Sequence, residues 1–171
     1  MTDTDRILIA GGGIGGLAAA LGLAHKGLPS LVLEKAAELG EIGAGIQLGP
    51  NAFHAFDALG VGDAAREMAV YIDNLRLMDA LTGREITHIP LDAAFRARFG
   101  NPYAVVHRGD LHGVLLKACR DHPLIDLRTP AGVTQYDQNG SAVTVPLAAE
   151  TRLIRRALIC AAGLWSRSRA A

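Results

Sequence analysis

Apolar residues fall in short runs divided by glycine and proline. Arg6–Ala10 is one such run, and its length and flanking glycines predict a buried strand. From Ile14 to Lys26, Leu17, Ala18, Leu21 and Ala24 share one stripe of period 3.6, while the opposite face is Ala and Gly. That pattern predicts a helix buried on most sides. Gly27-Leu28-Pro29 ends it, and Ser30–Glu34 predicts a second apolar strand. Together these form a β-α-β unit, whose crossover is expected to be right-handed.

Beyond this unit the pattern is less regular. A glycine-rich loop is expected from Gly40 to Pro50, then short helices over Asn51–Leu59 and Asp63–Met68. Tyr71–Asp79 and Arg84–Ile89, joined through Leu-Thr-Gly, predict an antiparallel hairpin, and Tyr103–His107 a further strand. Leu111, Val114, Leu115 and Ala118 recur at helical spacing, which predicts a helix over Asp110–Arg120 with Asp110 as its N-cap. Strands are expected near Leu124–Arg128, Gly132–Tyr136, Ala142–Val145 and Ala157–Ala161. The alternation predicts an α/β fold with no internal repeat and no linker.

Composition narrows the function. Half of the 171 residues are hydrophobic and 20% are charged, which excludes a disordered polyelectrolyte. Seventeen basic residues balance seventeen acidic ones, so no net field draws the chain to nucleic acid or anionic membrane. Ile7–Ala24 is uncharged over 18 residues, near the lower limit for a membrane span, but six of them are glycine. The opening Met-Thr-Asp-Thr-Asp-Arg carries two acids where a secretory signal has a basic region. A strand, turn and buried helix fit the stretch better than a span. Two cysteines, Cys119 and Cys160, build no disulfide scaffold, so a cytoplasmic location is expected. The six histidines form neither H-E-x-x-H nor a Cys-His pattern, and no metal is expected. There is no G-x-S-x-G for a serine hydrolase.

Eleven of the twenty glycines lie in the first fifty residues, and they carry the strongest chemical signal. Gly11-Gly12-Gly13-Ile14-Gly15-Gly16 sits between the first strand and the first helix, with the G-x-G-x-x-G positions at Gly11, Gly13 and Gly16. The first glycine allows the tight turn, the second a close backbone approach to a pyrophosphate, and the third close packing of helix on strand. The helix N-terminus adds free N–H groups and the positive end of its dipole. Glu34 ends the second strand about 20 residues on, where a carboxylate accepts hydrogen bonds from a ribose 2′-OH. An acid there also repels a 2′-phosphate, so this site is not expected to hold NADP. A glycine-rich turn with no ligand is the competing reading, and the combination of strand, helix and acid favours dinucleotide binding.

Several segments occur together in order: Gly11–Gly16, Glu34-Lys35, the Gly43–Asn51 loop, His107-Arg108-Gly109-Asp110-Leu111, and Gly163-Leu164-Trp165-Ser166-Arg167. In this combination the chain resembles the N-terminal part of the single-component FAD-dependent aromatic hydroxylases, most of all the salicylate hydroxylase and 3-hydroxybenzoate 6-hydroxylase branch. The resemblance implies a Rossmann-like FAD-binding fold of the glutathione-reductase type over residues 1–171, with residues 70–107 contributing to an incomplete antiparallel substrate-side sheet. It implies FAD as cofactor, NADH or NADPH as electron donor, and a small aromatic substrate for the parent enzyme. Gly13, Ile14, Gly15 and Gly16 would hold the pyrophosphate and Glu34 the adenosine ribose, Gln47 and its neighbours would border the flavin or its ribityl chain, and Gly11 and Lys35 count among the cofactor-binding residues. Arg108 would reach the cofactor with its fork of donors, and Val133 would offer its backbone to the adenine. Position 162 is alanine where the resemblance implies an aspartate serving the flavin ribose. The chain ends at Ala171, and the family's later Gly-Asp motif and catalytic base have no counterpart in it. A truncated chain, not competent alone and prone to self-association or to pairing with a missing C-terminal half, is therefore expected. A non-catalytic dinucleotide-binding fragment, or an NAD-binding piece of a dehydrogenase, remain the other readings.

Overall fold

The computed structural model describes residues 5–40, 43–147 and 152–163. The chain divides into two compact units, one from its N-terminus to Ile42 and from His112 onward, the other spanning Gly43–Leu111.

The first unit begins with β1 (Ile7–Ala10), α1 (Ile14–His25) and β2 (Ser30–Leu33). All four residues of each strand are buried, as continuous apolar runs in a parallel sheet require. Gly16, Leu17, Ala20, Leu21 and Ala24 form the buried face of α1, which packs on that sheet. The helix ends in a Schellman motif. The Gly27 N–H donates to Ala24 O and the Leu28 N–H to Leu23 O, with Gly27 at φ +71. Two later strands, β8 (Ile125–Arg128) and β12 (Leu158–Cys160), complete a parallel sheet of order β12-β1-β2-β8. Leu8 stands opposite both Leu31 and Leu158 in its register.

A second, antiparallel sheet of order β11-β10-β9 belongs to the same unit, from β9 (Asp137–Gln138), β10 (Val143–Pro146) and β11 (Arg152–Arg155). Alternate residues of β10 and β11 are buried. Val143, Val145 and Leu153 thereby meet Leu8, Leu31, Leu33 and Ala131 in one cluster, with Val133, Tyr136 and Leu158 packed around it. The expected strand at Gly132–Tyr136 is absent. Those residues hold no ladder, and Val133 and Tyr136 instead supply side chains to this cluster.

The second unit contains a sheet of order β3-β7-β4, from β3 (Gly45–Leu48), β4 (Val70–Tyr71) and β7 (Ala104–His107), and the hairpin β5 (Asn74–Met78) with β6 (Glu85–Pro90). Part of the expected Gly40–Pro50 loop is thus the strand β3, because β7 supplies a partner at Gly45↔His107 through Leu48↔Ala104. Tyr71 pairs with Ala104 in β4 instead of opening the hairpin. The hairpin turn is held by Asp79, whose carboxylate accepts from the N–H groups of Leu81 and Thr82 and from the Thr82 hydroxyl. Those bonds hold the Asp79 pKa below the usual carboxylate range. The helices are α2 (Pro50–Ala58), α3 (Gly62–Glu67) and α4 (Ala93–Phe99). In α4, a helix the apolar pattern does not reveal, Asp92 caps the start by accepting from the Phe95 N–H at 3.1 Å, and Gly100 ends it at φ +73.

The last helix, α5 (Arg108–Arg120), begins two residues before the expected start, so Asp110 lies in its first turn and is not the N-cap. Leu111, Leu115 and Cys119 lie on its buried stripe. The Cys119 thiol donates to Leu17 O of α1 at 3.5 Å, and burial pushes its pKa from 9.0 up to about 12. The stability this thiol contributes is therefore fully present below about pH 9 and is lost as pH rises toward 12. Cys160 is exposed. An aromatic disulfide reagent at pH 8 is expected to modify Cys160 in the folded protein and Cys119 only after denaturation. Rapid modification of both thiols under native conditions would contradict this packing.

Candidate functional site

The site in the first unit is built where β1 gives way to α1. Gly11 adopts φ +109, which side chains rarely tolerate, and a Cβ there would lie 2.6 Å from Ala161 O and 2.7 Å from Ala162 Cα. A Cβ on Gly16 would collide with the Gly11 carbonyl, so the helix start touches the strand end backbone to backbone. A Cβ on Gly12 would strike the Leu39 side chain. At Gly15 nothing lies within 4 Å, and the motif's fifth position needs no glycine for space.

Gly13 is the N-cap of α1, and it offers no side-chain cap; the first turn holds no acid. The opening N–H groups of the helix lack intrahelical acceptors, and no neighbouring carboxylate of that turn competes with an incoming anion. Beside them lies a cleft of about 200 Å³ lined by Gly12, Gly13, Glu34, Ala36, Glu38, Leu39 and Gly40. Glu34 follows β2 and is half-buried. Its Oε2 accepts from the Gly12 N–H at 2.7 Å and its Oε1 from the Ala36 N–H at 2.9 Å. Each oxygen keeps a second lone pair for a further donor. Uncapped N–H groups next to a carboxylate with spare acceptor capacity suit the pyrophosphate and ribose of a dinucleotide, so these residues fit FAD.

The other expected residues are distributed between the two units. Lys35 is exposed and packs beside Gly132, whose Cβ would lie 3.1 Å from Lys35 Cβ. Val133 is next in the chain and turns its side chain into the apolar cluster. Ala162 is exposed against Gly11 at the carboxyl end of the parallel sheet. Gln47 and Arg108 lie in the second unit, where pairing of β3 with β7 brings their segments together. The Arg108 N–H donates to Ala44 O at 3.2 Å, a Cβ on Gly43 would sit 2.8 Å from Arg108 Cβ, and the Gln47 Oε1 accepts from the Tyr103 hydroxyl at 2.7 Å. The Trp165–Arg167 part of the last segment lies outside the described residues.

Two features of the site have no counterpart in the sequence reading. Glu38, Leu39 and Gly40 line the cleft although they belong to no motif. His112, 2% exposed, places its Nε2 2.8 Å from Gly12 O. The signal for it was present: His112 falls on the apolar stripe of α5, one turn before Leu115 and Leu116, where a polar side chain needs a buried partner. Among the described residues no three His, Cys, Asp or Glu side chains are grouped to hold a metal, and no helix is long and apolar enough to cross a membrane.

A parallel sheet with a helix on one face, a small antiparallel sheet in its apolar cluster, and a glycine turn beside a strand-end acid defines a Rossmann-like dinucleotide-binding fold of the glutathione-reductase type. The chain belongs to the FAD binding domain family, whose description matches residues 4–171. It is 54% identical over 165 residues to 3-hydroxybenzoate 6-hydroxylase 1 of Aquipseudomonas alcaligenes, covering 96% of this chain and 42% of that protein. It is 52% identical over 145 residues to 3-hydroxybenzoate 6-hydroxylase of Klebsiella oxytoca, covering 85% of this chain and 36% of that one. The chain thus spans well under half the length of these relatives. Its fold is shared with p-nitrophenol 4-monooxygenase PnpA from Pseudomonas putida DLL-E4, at a TM-score of 0.83 and 22% identity over 95% of this chain and 42% of that one.

The glycine contacts lead to opposite expectations at neighbouring positions. Gly16→Ala should destabilise the fold by about 1–3 kcal/mol, because α1 must back away from β1. Gly15→Ala, in open space on a helix, should be neutral or gain up to about 1 kcal/mol. Urea denaturation of both variants checks this, and equal effects would mean that Gly16 does not touch Gly11 as described.

Proposed function

We propose that this chain is the FAD-binding part of a flavoprotein monooxygenase that hydroxylates a small aromatic acid, with NADH or NADPH as electron donor. The observation that carries FAD binding is the cleft at the start of α1, where uncapped N–H groups stand beside the Glu34 carboxylate. The aromatic acid rests on the 54% identity to an enzyme named for 3-hydroxybenzoate. In this reading Gly11, Gly13, Ile14, Gly15 and Gly16 form the pyrophosphate side of the site, and Glu34 with Lys35 the adenosine side. Val133 would offer its backbone to the adenine, and position 162 would serve the flavin ribose. Gln47 and Arg108 serve the flavin end, and residues 70–107 form part of the substrate domain. Bound FAD supplies the redox chemistry.

The roles of the chain's own groups follow from their chemistry. The α1 N–H groups neutralise pyrophosphate oxygens with fixed dipoles. Glu34 accepts from ribose hydroxyls while keeping Gly12 and Ala36 in place, so it both binds and shapes the cleft. Its charge also disfavours a 2′-phosphate at the same point, which separates this site from one for NADP. Arg108 offers a planar fork of donors to carbonyl or phosphate oxygens.

Calorimetric titration should give tighter binding for FAD than for NAD⁺. Glu34→Ala is expected to weaken FAD binding by roughly 10- to 150-fold, the equivalent of about 1.5–3 kcal/mol for hydrogen bonds to a charged group. A preference for NAD⁺, or an indifferent Glu34→Ala, would overturn the flavin reading. Ala162→Asp puts a carboxylate beside Gly11 at the carboxyl end of the sheet, where it can accept from a ribose hydroxyl. It should tighten FAD binding by up to about 1–2 kcal/mol in the same titration, and unchanged affinity would remove position 162 from the site.

A further inference from the structure

Two hydrogen bonds hold opposite sides of Gly12. Its N–H donates to Glu34 Oε2 at 2.7 Å, and its carbonyl accepts from His112 Nε2 at 2.8 Å. Because the ring nitrogen faces a carbonyl oxygen, Nε2 carries the proton. The partners come from positions 22 and 100 residues away in the chain, so both bonds form only in the folded unit. Glycine turns flip their peptides at little steric cost, so the orientation of the Gly12–Gly13 peptide depends on the partners it finds.

Peptide planarity converts these bonds into directions. In a trans peptide the C=O of one residue and the N–H of the next point opposite ways. With the Gly12 carbonyl drawn to His112, the Gly13 N–H is turned away from α5, and Gly13 lines the cleft. With the Gly12 N–H drawn to Glu34, the Gly11 carbonyl is turned toward Gly16. Released from His112, the Gly12–Gly13 peptide is free to rotate its oxygen toward the cleft, replacing a donor by a partial negative charge.

We infer that His112 is a positioning residue for the pyrophosphate of the bound dinucleotide: it holds the Gly12–Gly13 peptide with its carbonyl tied back and its N–H available to an oxyanion. The inference rests on the FAD-binding reading above. His112 is buried, with its Nε2 on the Gly12 carbonyl. It acts through the peptide, so its effect belongs to the pyrophosphate and not to the adenosine end.

The test titrates FAD, ADP and adenosine into the wild-type chain and into His112→Phe, His112→Gln and Leu115→Ala. His112→Phe keeps ring volume without the N–H, His112→Gln restores a side-chain donor, and Leu115→Ala removes a fully buried side chain from the same helix. His112→Phe should weaken FAD and ADP by about 10- to 100-fold and adenosine by less than about twofold. His112→Gln should recover most of that loss, and Leu115→Ala should lower Tm while leaving FAD affinity within about threefold. Should His112→Phe fail to fold, the gap between His112→Gln and His112→Leu serves the same comparison. Wild-type FAD affinity in His112→Phe, an equal loss for adenosine, or a loss that tracks Tm as in Leu115→Ala would overturn the role of His112. A wild-type chain that takes up no FAD would instead overturn the proposed function, and this inference with it.

Discussion

The structure of the first unit depends on one close approach, the contact between the start of α1 and the end of β1. Gly16 meets the Gly11 carbonyl with no room for a Cβ, and Gly11 in turn meets the backbone of Ala161 and Ala162. The two ends of one glycine turn and a strand from much later in the chain therefore touch main chain to main chain. Any side chain at Gly11 or Gly16 would push the helix off the sheet and move its N-terminus. Because the anion-attracting end of a helix acts only over its first turn, such a displacement would also remove the field from the cleft. Fold and site share the same atoms here.

The parallel sheet around that contact needs cover on both faces, since β1 and β2 are buried throughout. Helix α1 packs on the strands, and Cys119 of α5 reaches Leu17 of α1. Val143, Val145 and Leu153 of the antiparallel sheet close over Leu8, Leu31 and Leu33. A meander can do this because alternation leaves one of its faces apolar, so no second crossover helix is needed. The chain between β2 and β8 is free to build the second unit and returns through α5.

The second unit carries its own polar framework. Arg66 donates two bonds to Asp57, at 2.5 and 2.8 Å, and a third to the buried Asn101 at 2.9 Å. That pairing keeps the Asp57 pKa low and raises that of Arg66. His54 completes the group by bonding Phe99 O at 3.0 Å and meeting the Asn101 amide. Asp57, Arg66 and Asn101 do not stand out in the sequence, because each is an ordinary polar residue until the fold gathers them.

Local order was legible where one chemical pattern admits one geometry. The apolar runs at Ile7–Ala10 and Ser30–Leu33, the glycine turn and the Gly27 stop specified a strand, a helix and a strand without reference to anything else. The hairpin β5–β6 and helices α2 and α3 followed from turn residues and helical spacing. What needed a distant partner was not legible. Gly45–Leu48 became a strand because β7 lies beside it, Gly132–Tyr136 lost its strand to the apolar cluster, and β11 exists as the partner of β10. The same division runs through the site. Sequence alone determined the glycines, the helix N-terminus and Glu34, since turn geometry, dipole and charge are properties of a short segment. Only the tertiary structure decided that Glu34 and His112 tie down the two peptides that flank Gly12, because a hydrogen bond between residues 100 positions apart depends on the packing of whole elements.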